Sequence, residues 1–137
     1  MKKLFVVGLG PGSADTMTAQ ARAALAESDV LCGYTVYTDL VAPLYPDKPV
    51  LTTPMRKEID RCRMALERAA AGETVAMVCS GDAGVYGMAC LIYQLAAEYP
   101  PVDIVIVPGV TAALSGAAVL GAPLSHDFCV ISLSDLL

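Results

Sequence analysis

Three glycine-containing loops hold the residues whose types and spacing could do chemistry. They are residues 8–13 (GLGPGS), 79–87 (CSGDAGVYG) and 108–113 (PGVTAA), and each directly follows an apolar run or ends one. Glycine lets a backbone approach a ligand closely, and the Asp82 carboxylate would suit a cationic or hydroxyl-rich ligand. The residues alone leave a second interpretation open, because Asp82 and Thr111 could each serve only to cap a helix.

The first loop superficially matches the fingerprint of dinucleotide-binding folds. However, Ser13 stands where that fingerprint has its third glycine, and Pro11 lacks the backbone N–H that a diphosphate would use. No glycine-rich turn is followed by Gly-Lys-Ser/Thr, so a P-loop is excluded. The sequence therefore argues against a phosphate cradle.

Strand-like apolar runs alternate with segments of helical period, which predicts an α/β fold with a mostly parallel sheet. The predicted strands are residues 4–8, 30–33, 50–53, 74–79 and 102–107, and the predicted helices are residues 18–28, 58–71, 86–98 and 111–121. We expect Ile59 to face inward, Arg61 to face outward, and helix 111–121 to be buried on both sides. Ligands of open α/β sheets bind beyond the carboxyl ends of the strands, where the three loops lie.

Composition narrows the class of protein. The chain has 137 residues, which suits one domain, and its net charge of −5 with nine scattered Lys and Arg argues against nucleic acid as a ligand. The five cysteines include no C-x-x-C pair, so we expect a reducing cytoplasm, no disulfide framework and no metal site. We expect no export, because the apolar run at residues 1–9 reaches Gly8 too soon to be a signal-peptide core. We expect no membrane span, because no unbroken stretch of about 20 apolar residues occurs.

The loops and their neighbours, taken in order, resemble the tetrapyrrole methylase family. The resemblance covers the whole chain and includes GLGPG at 8–12, SGDAGVYGMA at 80–89, PGVTAA at 108–113 and GAPLSHDF at 121–128. The stretches G-Y-x-x-Y at 33–37 and M-x-x-E-I-D-R at 55–61 are similar to those of enzymes that methylate carbon 17 of precorrin-3B or cobalt-factor III. Relatives that act elsewhere on the ring usually have Pro where this chain has Ala83.

The resemblance implies a three-layer αβα domain with strand order 3-2-4-1-5 and an S-adenosylmethionine-dependent methyltransferase of cobalamin biosynthesis, with a tetrapyrrole as substrate. It implies two domains, so residues 1–124 would form the amino-terminal one, and residues 125–137 a hinge and the first strand of the second. It also implies a homodimer for the full-length form. The cofactor contacts carried over from the family are Pro11, Gly81, Asp82, Ala83, Val85, Thr111 and Ala112.

The resemblance also implies that methyl transfer is accompanied by contraction of the macrocycle. No catalytic residue is identified, and Tyr34, Tyr86 and His126 are the candidates for a proton donor or acceptor in that step. His126 also fits a hinge role, and Cys79 and Cys129 fit strand packing. Two other functions stay open: methylation of another position or substrate, and an α/β binding module without catalysis. We expect the isolated chain to fold but not to turn over.

Overall fold

The parallel sheet has five strands in the order that the resemblance implies. A computed structural model of the chain describes residues 2–133. Its strands are β1 (Lys3–Gly8), β2 (Val30–Tyr34), β3 (Val50–Thr53), β4 (Thr74–Cys79) and β5 (Asp103–Val107). All pairings are parallel and the order is β3-β2-β4-β1-β5. The nearly continuous apolar runs of β1 and β4 reflect burial on both faces of the sheet.

Helices cover both faces, which confirms the predicted three-layer αβα architecture. They are α1 (Ala19–Glu27), α2 (Thr35–Val41), α3 (Glu58–Ala70), α4 (Ala89–Ala96) and α5 (Ala112–Val119), with short 3₁₀ turns at Ala14–Thr16 and Ala42–Leu44. On one face Leu66 of α3 and Ile92 of α4 pack against Met77. On the other, Leu25 of α1 and Val41 of α2 pack in a second core. Within residues 2–133, no helix has the length and apolar character that a bilayer span requires.

Two side chains of α3 face the opposite way from the prediction. Ile59 is 53% exposed, whereas Arg61 is only 4% exposed. The buried stripe of the helix includes Arg61, Ala65 and Ala69, spaced four residues apart. Arg61 lies on this stripe because its guanidinium donates a hydrogen bond to Thr53, the last residue of β3. The helical period alone does not reveal this contact.

Two further predictions about the elements were wrong. Helix α4 begins at Ala89 and not at residue 86, because Tyr86 has a φ of 53°, outside the helical region. Helix α5 is not buried on both sides, since none of its residues is buried and Val119 is 87% exposed. Residues 128–133 form no strand. Residues 134–137 of the predicted second-domain segment lie outside the described residues, and the assignment of 125–137 to a second domain stays a prediction.

Candidate functional site

The three glycine-containing loops meet at one edge of the sheet. They follow β1, β4 and β5, which are neighbours in the order β4-β1-β5, so their carboxyl ends coincide. Gly10 and Gly81 form a pair of backbone hydrogen bonds, in which each N–H donates to the other's carbonyl oxygen at 2.9 and 3.0 Å. The Leu9 N–H donates to the carbonyl oxygen of Cys79 at 2.9 Å. The first and second loops are thus joined by main-chain contacts.

Glycine is required where the main chains cross. A β-carbon built on Gly109 would lie 2.3 Å from the carbonyl oxygen of Gly81 and 2.6 Å from that of Gly8. A β-carbon on Gly8 would lie 2.7 Å from the nitrogen of Gly109. Because the obstructing atoms belong to the backbone, no rotamer change could relieve these contacts. Gly8, Gly81 and Gly109 therefore bring the three loops into direct backbone contact.

The Asp82 carboxylate joins the second loop to the third. Its Oδ2 accepts a hydrogen bond from the Gly84 N–H at 2.8 Å, and its Oδ1 accepts one from the Gly109 N–H at 2.9 Å. No side chain caps α4, whose N-cap is Met88. The interpretation of Asp82 as only a helix cap is therefore wrong, and its observed role is to fix the position of the two loops.

The predicted cofactor-contacting residues lie in these joined loops but differ in accessibility. Pro11, Val85 and Ala112 are exposed, while Asp82 and Thr111 are half-buried. Thr111 occupies the N-cap position of α5, yet its side chain makes no capping hydrogen bond, so the hydroxyl is available to a ligand. Gly81 is buried, and a β-carbon built on it would lie 3.5 Å from the Cα of Thr111. Ala83 is fully buried in the core. Ala83 could reach a ligand only if the second loop moved.

Two cavities flank the joined loops. The first has a volume of about 520 Å³ and lies toward β2 and α3. Its walls include Tyr34, Tyr37, Arg61, Ser80 and Tyr86. The second has a volume of about 650 Å³ and lies toward α5, where its walls are Pro11, Thr16, Val110, Ser115, Gly116, Ala118, Val119 and Leu120. The second cavity is bordered mainly by small and apolar side chains.

Arg61 lines the first cavity, although the helical pattern predicted that it would face outward. Its Nε donates to Thr53 Oγ1 at 2.8 Å, and its Nη2 donates to the carbonyl oxygen of Pro54 at 3.2 Å. The guanidinium carbon lies 5.6 Å from the centre of the Tyr34 ring, a cation–π distance. One signal could have located it, since Arg61 precedes Ala65 and Ala69 by four and eight residues on the buried stripe.

The candidate proton donors are distributed unequally. Tyr34 and Tyr86 line the first cavity, and the Tyr86 hydroxyl donates to the carbonyl oxygen of Val130 at 2.9 Å. His126 is exposed and lines neither cavity.

Burial raises the pKa of the Cys79 thiol to about 11, so it remains protonated at neutral pH. Cys129 is exposed, which does not fit the strand packing expected for it.

Comparisons with known proteins agree with this architecture. The model of the Tetrapyrrole (Corrin/Porphyrin) Methylases family matches residues 3–136. The chain is 50% identical to a probable cobalt-factor III C(17)-methyltransferase of Salmonella typhimurium, over 98% of this chain and 56% of that protein. It is 49% identical to a precorrin-3B C(17)-methyltransferase of Sinorhizobium, over 96% of this chain and 53% of that protein. The chain thus spans about half the length of these relatives.

Solved structures give the same result. The crystal structure of the methyltransferase CobJ aligns with a TM-score of 0.89 at 46% identity, covering 97% of this chain and 56% of that one. A uroporphyrin-III C-methyltransferase from Thermus thermophilus, complexed with S-adenosylhomocysteine, aligns with a TM-score of 0.74 at 27% identity, covering 95% of this chain and 56% of that one.

Proposed function

The chain belongs to the tetrapyrrole methylase family, and from that premise we propose that it forms the amino-terminal half of an S-adenosylmethionine-dependent enzyme that methylates carbon 17 of precorrin-3B or cobalt-factor III in cobalamin biosynthesis. The observation that carries the proposal is the 50% and 49% identity to two carbon-17 methyltransferases over nearly the whole chain. These values are almost equal, so the proposal covers both the cobalt-containing substrate and the cobalt-free one.

The joined loops fit a cationic, partly apolar cofactor. Residues 8–13, 79–87 and 108–113 contain no Lys or Arg, and their single carboxylate is Asp82. A sulfonium ion would therefore meet no positive side chain in these loops. The exposed side chains of Pro11, Val85 and Ala112 offer apolar surface, and the Thr111 hydroxyl offers a hydrogen-bonding group. These residues, with the Gly81 and Asp82 backbone, would hold S-adenosylmethionine.

When bound, S-adenosylmethionine supplies an activated methyl group. An electron-rich ring carbon needs only an in-line approach to that methyl, so the main contribution of this chain is to position the two reactants and exclude water. The rigid contacts of Gly8, Gly81 and Gly109 keep the loops in place for that purpose. Tyr34 and Tyr86, at the walls of the first cavity, are our candidates to move a proton during ring contraction.

A methyl-transfer assay tests the proposed function. The chain would be joined after Leu124 to the carboxyl-terminal half of the Salmonella relative and incubated with methyl-labelled S-adenosylmethionine and either precorrin-3B or cobalt-factor III. We expect a singly methylated, ring-contracted product that mass spectrometry detects. The isolated 137-residue chain should give none. Methylation of a different ring position, or no transfer by a folded chimera, would contradict the proposal.

A lysine substitution tests the cofactor site. Ala112→Lys places a long cation on an exposed position of the third loop, and should weaken S-adenosylmethionine binding by the chimera at least about tenfold through charge repulsion. Ala71→Lys is the matched control, because Ala71 is also exposed but precedes β4, at the opposite edge of the sheet. Equal affinities of the two variants in titration calorimetry would remove the third loop from the site.

We also propose that the full-length protein is a cytoplasmic homodimer. The family resemblance supports the dimer, and the cysteines support a reducing compartment, since all five are unpaired. Light scattering of the full-length form measures the dimer directly, and a monomeric mass would contradict it.

A further inference from the structure

Arg61 carries a positive charge that nothing in residues 2–133 neutralises. The side chain is 96% removed from solvent, and no carboxylate of the described residues lies within 4.0 Å of its nitrogens. Glu58 also lines the cavity but makes no ion pair with Arg61. A buried charge without a counter-charge is unfavourable, so proteins normally pair it. Arg61 therefore offers a cation without an ion-pair partner among residues 2–133 at the wall of the first cavity.

The guanidinium also has unused hydrogen-bond donors. Of its five N–H groups, one on Nε and one on Nη2 donate to oxygen atoms, those of Thr53 and Pro54. The nearest acceptor for Nη1 is the Met88 sulfur at 3.9 Å, and thioether sulfur is a weak acceptor. The two oxygen contacts fix the plane of the guanidinium while leaving donors for a ligand. A planar group with free donors in this arrangement suits a carboxylate.

We propose that the first cavity is a substrate subsite in which Arg61 binds a carboxylate side chain of the tetrapyrrole while Tyr34, Tyr37 and Tyr86 contact its macrocycle. The inference rests on the proposed function for its choice of ligand. S-adenosylmethionine also has a carboxylate, but the cavity lies on the β2 side of β4, whereas the first and third loops follow β1 and β5 on the other side. The cavity meets the second loop at both of its ends, through Cys79, Ser80, Tyr86 and Gly87.

Uroporphyrin, a fluorescent tetrapyrrole with eight carboxylates, is the probe for the test. The 137-residue chain would be titrated into the porphyrin, and the dissociation constant read from the fluorescence change. Loss of a hydrogen bond between charged groups typically weakens binding by about tenfold to a hundredfold, and we expect that loss for Arg61→Gln. Arg61→Lys should recover part of the affinity, because it retains the charge but not the fork of donors.

Arg63→Gln is the matched control. It removes the same charge from the same helix, but Arg63 is exposed and pairs with Glu98 at 3.1 Å, outside the cavity. We expect its porphyrin affinity to stay within about twofold of the original chain, because exposed ion pairs contribute little. Equal affinities of Arg61→Gln and Arg63→Gln, or no porphyrin binding by the original chain, would overturn the proposal.

Met55→Glu keeps the test valid if Arg61→Gln does not fold. Met55 lines the cavity and is 66% exposed, so a glutamate there adds a negative charge to the cavity wall without disturbing the core. The new carboxylate should repel those of the porphyrin and weaken binding by about tenfold, whereas Met55→Gln should not. Unchanged binding by Met55→Glu would also overturn the proposal.

S-adenosylhomocysteine, added as a competitor, distinguishes this inference from the proposed function. An excess should leave the porphyrin bound, and its displacement would assign the Arg61 subsite to the cofactor carboxylate and overturn the inference. Failure of methyl transfer by the chimera, together with Arg61-dependent porphyrin binding, would contradict the proposed reaction and leave the carboxylate subsite supported.

Discussion

Replacing Gly109 with alanine adds one methyl group at the point where three main chains meet. That methyl would lie 2.3 Å from the Gly81 carbonyl oxygen and 2.6 Å from the Gly8 carbonyl oxygen. These distances are far below van der Waals contact, and β1 and the second loop would have to separate from the third loop. Separation would also strain the hydrogen bond between the Gly109 N–H and Asp82 Oδ1. The variant should therefore be strongly destabilised.

The same substitution at Gly116 is a matched control. A β-carbon on Gly116 meets no atom within 4 Å, and the residue lies inside helix α5. Alanine there should stabilise the protein by about 0.5–1 kcal/mol, because glycine loses more backbone entropy in a helix. For Gly109→Ala we expect a loss of about 3 kcal/mol, at the upper end of the range for overpacking, since backbone must move. The two alanine variants should thus differ by about 4 kcal/mol.

Urea denaturation followed by circular dichroism measures this difference. With a slope of about 2 kcal/mol per molar urea, the midpoints of the two variants should be roughly 2 M apart. The free energy of unfolding and the slope would be fitted for the original chain and both variants under the same conditions. If Gly109→Ala kept the midpoint of the original chain, the close packing of the three loops would not exist as described, and the explanation of their glycines would fail.

Three further predictions concern groups described above. Asp82→Ala removes two hydrogen bonds to a carboxylate and should lower the free energy of unfolding by about 2 kcal/mol, and Asp82→Asn should lower it by about half of that. Equal urea midpoints for the two variants and the original chain would contradict the role of Asp82 in joining the second loop to the third. Iodoacetamide at neutral pH should modify the exposed Cys90 and Cys129 in the native chain and all five cysteines only in denaturant, as counted by mass spectrometry. Five rapid modifications in the native state would contradict the burial of Cys32, Cys62 and Cys79. Burial raises the pKa of Cys32 and Cys62 to about 12 from an ordinary 9.0, so the unfolded chain loses these protons at a lower pH than the folded chain does. The contribution of these thiols to stability should be constant below about pH 9 and fall above it by up to about 1.4 kcal/mol per pH unit for each thiol. A urea midpoint that stays constant from pH 8 to 10.5 would refute this.

The sheet was predictable because each of its strands leaves a local signal in the sequence. Buried parallel strands such as β1 and β4 are continuous apolar runs, and the glycine loops mark their carboxyl ends. The strand order was not a result of these local patterns, since it came from the family resemblance. The structure confirms that order and brings the three loops together.

The errors arose where a contact between distant residues decides the local structure. Arg61 faces the interior because Thr53 and Pro54, on another element, accept its hydrogen bonds. The start of α4 is delayed by the left-handed backbone of Tyr86, a conformation that sequence patterns rarely indicate for tyrosine. The Asp82 carboxylate binds an N–H that lies 27 residues away in the sequence. Helical spacing could have placed Arg61 on the buried stripe of α3, but periodicity describes one element at a time and does not identify the distant atoms that these groups contact.

The use of main chain rather than side chains at the joined loops has a thermodynamic consequence. Gly8, Gly81 and Gly109 have no rotamers, and their φ and ψ angles are held by contacts with one another before any ligand arrives. Immobilising a flexible side chain on binding typically opposes affinity by about 0.5–1.5 kcal/mol, and here this opposing entropy has already been lost during folding. A ligand seated on these loops should therefore bind with a smaller unfavourable entropy than one held by flexible, exposed side chains.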